Sequence, residues 1–207
     1  MPTPSATVVI SGAVEGLVDE AVLRVLIRHV GAASGPIYGK RGKDYVLKNI
    51  RGYNNAATFA PWVVLVDLDQ DLPCAPTLRD AWLPQRAQKM CFRVAVREVE
   101  AWIIADRARL ARFLGVEVRS VPEDAEAVAD PKDVLVRLAR RSRWKDIRQD
   151  MVPRPHSGRE TGPAYNARLI EFVGDQAKGW RPEVAAHACE SLRRCLNCLR
   201  RLVRLAD

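Results

Sequence analysis

A short apolar run, WVVLV at Trp62–Val66, most strongly limits what this chain can fold into. It lies between Pro61 and Asp67 and contains no polar residue. A run of this length, rich in β-branched valine, is typical of a strand buried on both faces. Such strands occur in parallel sheets covered by helices. The run therefore predicts an α/β fold, and it is far shorter than the ~20 residues that cross a membrane.

Strand and helix patterns alternate on both sides of this run. Further strands are predicted at Thr7–Ile10 and Cys91–Val96. Apolar residues at helical spacing predict helices at Leu17–Val30, Asp44–Thr58, Leu78–Gln88 and Glu98–Leu114. The stretch GPIYGKRGK, which follows the first helix, is interpreted as a connection rich in Gly and Lys. This alternation predicts a parallel sheet with right-handed crossovers.

The last third of the chain has a different pattern. Strand signals end after Val121, and helices are predicted at Asp130–Arg141, where Pro131 occupies the first helical position, and at Pro182–Leu205. A loop rich in Pro and Gly, Val152–Pro163, separates them. We therefore expect an α/β domain over residues 1–120, with a basic helical extension over residues 121–207 packed on it.

The charge of the chain is concentrated in this extension. Thirty-three Lys and Arg residues oppose 25 Asp and Glu residues, a net charge of +8. Residues 1–129 carry 16 basic and 15 acidic side chains, whereas residues 130–207 carry 17 and 10. Such an excess indicates an anionic partner, most often nucleic acid, although a solvated arginine-rich face is the alternative. Hydrophobic residues at 48% exclude a disordered chain.

Two basic clusters are candidates for contacts with phosphate. Lys40, Arg41 and Lys43 lie among glycines whose backbone N–H groups can approach an anion. Arg154 and Arg159 lie on the loop rich in Pro and Gly. A role of this kind predicts strong salt dependence of binding.

The cysteines and the N-terminus indicate a cytoplasmic location. The start of the chain lacks the charged and apolar regions of a signal peptide, and the five cysteines have no framework spacing. Cys189, Cys195 and Cys198 fall with His187 on one predicted helix, where a tetrahedral zinc site lacks the turn it needs. We therefore expect these cysteines in the core.

Acidic residues follow each of the predicted strands. The three clusters are Glu15 with Asp19 and Glu20, Asp67 with Asp69 and Asp71, and Glu98 with Glu100 and Asp106. The carboxyl ends of parallel strands meet at one edge, so these clusters should gather there, with Glu15 within about 10 Å of Asp67. Gathered carboxylates need a cation, and oxygen ligands suit Mg²⁺ or Mn²⁺. The alternative is that single carboxylates cap turns or helices, as Asp106 could.

Other phosphate-binding motifs fit poorly. Gly35–Lys40 is one residue short of a P-loop, and Arg41 stands where that motif needs Ser or Thr. No G-x-G-x-x-G follows the first strand, which argues against dinucleotide binding. Haloacid dehalogenase phosphatases place Asp-x-Asp after their first strand, whereas here it follows a later one.

A glutamate in an EG context after the first strand, followed by an apolar strand that ends in Asp-x-Asp, resembles the TOPRIM domain. This domain occurs in type IA topoisomerases, DnaG-type primases and nucleases of the overcoming-lysogenization-defect type. The closer resemblance is to an uncharacterised prokaryotic TOPRIM-like family. It covers roughly residues 8–198 and is carried by VEGLVDE, VDLD, REVEAWIIAD, DPKDVL, GPAY and SLRRC.

The resemblance implies a metal-dependent nuclease acting on DNA or RNA. Glu15, Asp67 and Asp69 would be catalytic and, together with Asp19 and Glu100, would bind Mg²⁺ or Mn²⁺. It also implies a role in phage defence or nucleic-acid processing, and a possible partner ATPase. The alternative is a non-catalytic or latent subunit that binds nucleic acid or the ATPase.

Overall fold

The computed structural model describes residues 7–68 and 74–205. Its centre is a four-stranded sheet in which every pairing is parallel, with the order β2-β1-β3-β4. The strands are β1 (Val9–Val14), β2 (Ala33–Gly39), β3 (Trp62–Asp67) and β4 (Met90–Ala95). The predicted α/β class with a parallel sheet is confirmed.

Helices cover the sheet and continue into the C-terminal part. Those that connect or directly follow the strands are α1 (Leu17–His29), α2 (Lys43–Ala56), α3 (Ala75–Trp82), α4 (Val99–Ile104) and α5 (Arg107–Leu114). The rest are α6 (Pro131–Arg140), α7 (Lys145–Met151), α8 (Tyr165–Gly174), α9 (Pro182–Ala188) and α10 (Glu190–Arg204). The predicted C-terminal helical extension is therefore confirmed. Nowhere in the described ranges is a helix both long enough and apolar enough to cross a membrane.

Strand β3 is buried on both faces, as its sequence predicts. Val63 and Leu65 join the hydrophobic cluster on one face of the sheet, and Val64 and Val66 join the cluster on the other. All four side chains are inaccessible to solvent. The apolar run is continuous because helices cover both faces and neither face needs polar residues.

The topology reverses between the two central strands. The chain passes from β1 outward to β2, crosses back to β3, and continues outward to β4. Ala13 of β1 pairs with Val64 of β3, so the carboxyl ends of the two strands lie side by side. In open α/β sheets this reversal opens a crevice beyond the carboxyl ends, where ligands bind.

Strand β2 was not predicted from the sequence. Its residues ASGPIYG include Pro36 and two glycines, which weaken any strand pattern. Proline is tolerated because β2 lies at the edge of the sheet, and the pairing register shifts opposite Ile10 and Gly12.

Two predicted helices are each divided in the structure. The segment Glu98–Leu114 forms α4 and α5, because the Asp106 carboxylate accepts the Arg109 N–H and begins a new helix. Cys189 separates α9 from α10, and the Glu126 carboxylate accepts the N–H groups of Glu190 and Ser191 at 2.9 Å each. These carboxylates satisfy the unpaired donors that open a helix.

The C-terminal helices share a core with the sheet. One hydrophobic cluster runs from Ile10 and Leu65 to Leu202, and it contains Cys189 and Cys195, as predicted. The Trp102 indole N–H donates to Ser191 Oγ at 2.7 Å. A disulfide that the sequence did not predict joins Cys91 of β4 to Cys198 of α10, whose Cα atoms are 5.9 Å apart. The division at residue 120 stays a prediction.

Two glycine substitutions test the edge strand and the helix that follows it. At Gly39 φ is +90°, and an added Cβ would collide with the Val14 carbonyl oxygen; at Gly52, inside α2, an added Cβ meets nothing within 4 Å. We expect Gly39→Ala to lower the free energy of unfolding by more than about 2 kcal/mol. Gly52→Ala should raise it by about 0.5–1 kcal/mol. Urea denaturation measures both, and equal effects would contradict the placement of β2.

Candidate functional site

Glu15 and Asp67 are in contact where the topology of the sheet reverses. Glu15 directly follows β1, and Asp67 is the last residue of β3. The Asp67 backbone N–H donates to Glu15 Oε1 at 2.9 Å. The Asp67 carboxylate in turn accepts the N–H of Val99, the first residue of α4, at 3.0 Å. These two hydrogen bonds join β1, β3 and α4 at one point.

The basic segment Lys40–Lys43 lies beside this contact. The Lys40 N–H donates to the Val14 carbonyl at 2.9 Å, and the Gly42 N–H donates to the Glu15 carbonyl at 3.0 Å. Lys43 Nζ reaches the Leu68 carbonyl at 3.4 Å. The connection between β2 and α2 therefore carries cations to the acidic edge of the sheet.

A buried acidic cluster lies behind the edge. Asp19 on α1 and Glu100 on α4 are only 7% and 6% exposed. One oxygen of Asp19 and one of Glu98, Oδ1 and Oε2, are buried without a hydrogen-bond partner. Lys132, at the start of α6, donates to Glu98 Oε1 at 3.0 Å. We call Asp19, Glu98, Glu100 and Lys132 the buried charge cluster.

Burial controls the protonation of this cluster. Burial raises the pKa of Glu100 to about 7, although the charge of Lys132 opposes the shift. Burial likewise raises the pKa of Asp19. Burial lowers the pKa of Lys132, but the charges of Glu100 and Glu98 outweigh it and raise that pKa overall. Lys132 is thus a fixed cation, whereas Glu100 can exchange a proton near neutral pH.

Tyr165 borders the cluster. Its side chain is 2% exposed, and its hydroxyl is buried without a hydrogen-bond partner. Burial raises the pKa of Tyr165, and the negative charge of Glu100 adds to the effect. The hydroxyl therefore stays protonated and lies close enough to the Glu100 carboxyl group to interact with it, although the geometry is not that of a hydrogen bond.

The other predicted ligands have different outcomes. Asp69 lies outside the described residues, so the Asp-x-Asp pair is represented by Asp67 alone. Asp106 is fully buried, and its carboxylate accepts the backbone N–H of Arg181 at 3.0 Å and the guanidinium of Arg181 at 2.7 and 2.9 Å. With its bond to Arg109, this makes Asp106 a helix cap and ion-pair partner, the alternative that the sequence left open.

The case for Mg²⁺ or Mn²⁺ at the acidic edge depends on the chemistry of its carboxylate oxygens. Within residues 7–68 and 74–205, no group of three or more His, Cys, Asp or Glu side chains is arranged to hold a metal ion. The carboxylates at this edge are nevertheless the oxygen donors that these ions prefer. A buried carboxylate oxygen without a hydrogen-bond partner, such as Asp19 Oδ1, is also available to coordinate such an ion. The chemistry of these donors suits Mg²⁺ or Mn²⁺, but the described side chains are not arranged as a site with three or more ligands.

The predicted phosphate-contacting residues fall into two groups. Lys40 already pairs with Glu20 at 3.0 Å, and Arg41 lies over the Tyr45 ring, 5.3 Å from its centroid. Arg154 and Arg159 are exposed between α7 and α8, and neither side chain forms an ion pair with another described residue. The first group lies at the acidic edge, and the second belongs to a different segment.

Sequence reasoning assigned no role to Lys132 or Tyr165, and it ranked Glu98 below Glu100. Lys132 and Tyr165 lie within DPKDVL and GPAY, two of the motifs that carry the resemblance to TOPRIM-like proteins. Nothing in those motifs alone shows that Lys132 is half-buried and Tyr165 buried beside carboxylates, since a lysine in a first helical turn is usually solvated.

Comparisons of the chain with protein families, curated proteins and solved structures found no match.

The chemical capacity of the edge follows from its own groups. It presents carboxylates for a cation, a carboxyl group that titrates near neutrality, and a lysine that stays charged. Together these groups can hold cations and move a proton.

The contribution of Lys132 can be measured by removing its charge. Lys132→Met leaves Glu98 and Glu100 without their cation, so we expect a loss of about 2 kcal/mol in the free energy of unfolding at pH 8. The loss should be smaller at pH 5, where the Glu100 carboxyl group is protonated. Lys178→Met, on an exposed position, is the control in urea denaturation. Equal effects of the two variants would contradict the buried charge cluster.

The protonation of Glu100 predicts a pH-dependent stability. Its pKa is about 7 in the folded chain against an ordinary 4.5, so folding takes up a proton between these values and stability falls as pH rises through this window. Glu100→Gln removes this loss. The difference in free energy of unfolding, Glu100→Gln minus wild type, should therefore become more positive with pH. We expect this difference to grow by about 2 kcal/mol from pH 4.5 to pH 8.

Urea denaturation in a chelator at several pH values tests this expectation. Glu160→Gln, on an exposed position, is the matched control and should differ from wild type by the same amount at every pH. A pH-independent effect of Glu100→Gln would show that Glu100 ionises normally in the folded protein.

Proposed function

We propose that the protein is a nuclease that depends on Mg²⁺ or Mn²⁺ and hydrolyses phosphodiester bonds in DNA or RNA. The observation that carries the proposal is the contact of Glu15 with Asp67 at the topological reversal of the sheet, 2.9 Å from Oε1 to the backbone nitrogen. The resemblance of the sequence motifs to TOPRIM domains supports the same activity. Glu15 and Asp67 belong both to this contact and to the motifs of the resemblance, whereas Asp69 belongs to the motifs alone.

Glu15, Asp67 and Asp69 would hold the metal ion, with Asp19 and Glu100 as further ligands. When bound, Mg²⁺ or Mn²⁺ supplies a Lewis acid that stabilises the charge developing on the phosphoryl group. The Asp67 N–H orients Glu15, and the Val99 N–H orients Asp67. Burial raises the pKa of Glu100 to about 7, so this carboxyl group would lose its proton when it binds the ion.

The basic residues would hold the polyanion over the acidic edge. Lys40, Arg41 and Lys43 lie on the segment that contacts Glu15 and Leu68, while Arg154 and Arg159 extend from an exposed loop. Contacts of this kind make binding weaken steeply with salt. The proposed setting is cytoplasmic, in phage defence or nucleic-acid processing and with a possible partner ATPase.

A second candidate is a latent subunit that binds nucleic acid or a partner ATPase without cleaving. The observation that favours it is the ion pair between Lys132 and Glu98, at 3.0 Å. This pair already compensates part of the negative charge, so the described residues can be stable without a metal ion. Binding of a partner would then have to rearrange the buried charge cluster before catalysis.

Cleavage of labelled DNA and RNA with Mg²⁺ or Mn²⁺ distinguishes the two candidates. We expect cleavage by the wild type, and a loss of more than about 100-fold in Asp67→Asn/Asp69→Asn, because the charge that holds the ion is removed. Asp124→Asn is the matched control. Asp124 is exposed, and its side-chain oxygen accepts the Ala127 N–H, a hydrogen bond that the asparagine side-chain oxygen can also accept. Wild-type protein that neither cleaves nor binds metal in calorimetry would contradict the nuclease proposal.

A further inference from the structure

A cavity lined by arginines lies next to the acidic edge. It has a volume of about 280 Å³ and is bordered by the ends of β3 and β4, by α3 and by the start of α10. Arg79, Arg93 and Arg194 line it, one from each of α3, β4 and α10. The carboxylates Glu126 and Glu190 also line it, and apolar side chains such as Leu68 and Val94 complete the wall. We call this cavity the arginine pocket.

Arg93 is an unusual residue for its position. It lies within β4, between strand residues that are buried, and it forms no ion pair with any other described residue. Its Nε atom is buried without a hydrogen-bond partner, and so is the Nε atom of Arg79. Burial lowers the pKa of Arg93, and the nearby charges of Arg79 and Arg194 lower it further. A half-buried guanidinium group that lacks an ion-pair partner and lies close to two others of like charge, as Arg93 does, is unfavourable unless an anion compensates it.

The carboxylates in and beside the pocket already have partners, and none of them forms an ion pair with Arg93. Glu190 pairs with Arg193 and Arg194, and Glu126 caps α10 through two backbone N–H groups. Asp80 lies 3.6 Å from Arg79 Nε and 3.4 Å from Arg86, but its side chain is 59% exposed and that separation leaves Arg79 Nε without a hydrogen bond. The pocket therefore keeps an excess of donors over acceptors.

We propose that the arginine pocket binds the phosphate group of a small phosphomonoester. The planar guanidinium fork matches a phosphate dianion with paired N–H donors. The volume lies just below the usual range for small-molecule sites, which fits a phosphate with a small attached body rather than a large cofactor. Leu68 lines the pocket and follows Asp67 in the chain, so the pocket lies beside the acidic edge.

Two sources can supply this chemistry: a free mononucleotide, or the 5′-phosphorylated end of an oligonucleotide. Calorimetry in a chelator, with inorganic phosphate, a mononucleotide, and one oligonucleotide with and without its 5′-phosphate, separates them. We expect saturable binding of the phosphomonoesters and weaker binding of the unphosphorylated oligonucleotide. Preference for the mononucleotide identifies the free ligand, and preference for the phosphorylated oligonucleotide identifies the nucleic-acid end.

Variants of the lining arginines test the site itself. Arg93→Met and Arg194→Gln should each weaken binding of the phosphomonoester by about tenfold or more, since a charge-assisted contact is lost. Arg204→Gln, at an exposed position in the last turn of α10, is the matched control and should bind as wild type does. Arg194 has a side chain 60% exposed, so its variant remains informative if Arg93→Met fails to fold.

Cys74 provides a second, independent readout. It lines the pocket and is exposed, whereas the other two free cysteines, Cys189 and Cys195, are buried. Phosphomonoester should slow alkylation of Cys74 in the wild type, and in Arg194→Gln the same protection should need about tenfold more phosphomonoester. Absence of saturable binding, or equal binding by wild type and both arginine variants, would overturn the proposal. Because the assays exclude metal, their result is separable from that of the cleavage assay.

Discussion

The ion pair between Lys132 and Glu98 compensates charge that the fold has removed from water. Asp19 and Glu100 are nearly inaccessible, and burying carboxylates without a cation is strongly unfavourable. Lys132 belongs to α6, whereas Glu98 and Glu100 follow the last strand of the sheet and Asp19 lies on α1. The C-terminal helices therefore supply an electrostatic component of the edge as well as hydrophobic packing. Any rearrangement of α6 would alter the charge of the proposed catalytic site.

The direction of the strands explains why the acidic groups meet at all. All four strands are parallel, so residues that follow them accumulate at one edge, and the order reverses between β1 and β3. The segment between β2 and α2 ends at the same edge and brings Lys43 to the Leu68 carbonyl. Acidic and basic residues thus come together from distant parts of the sequence. The excess of positive charge in residues 130–207 adds a surface suited to a polyanion.

The sequence predicted those parts of the fold that depend on local pattern. The apolar run at Trp62–Val66 indicated a strand buried on both faces, and Asp130 before Pro131 indicated the start of α6. Strand β2 was missed because its pairing with β1 compensates for Pro36 and two glycines, which local propensity counts against a strand. The breaks before α5 and α10 were missed because one depends on the Asp106 side chain and the other on Glu126, which is far from α10 in the chain.

In the candidate site, too, features that depend on local pattern could be predicted and features that depend on packing could not. The meeting of Glu15 and Asp67 could be expected from parallel strands, since both residues end such strands. The roles of Lys132 and Arg93 could not, because burial beside other charges is a property of the packed chain and leaves no periodic signal in the sequence. The most direct test of the central claim is anomalous diffraction from crystals soaked in Mn²⁺. The account predicts a peak within coordination distance of the Glu15 and Asp67 carboxylates, and a fully soaked crystal without density there would contradict it.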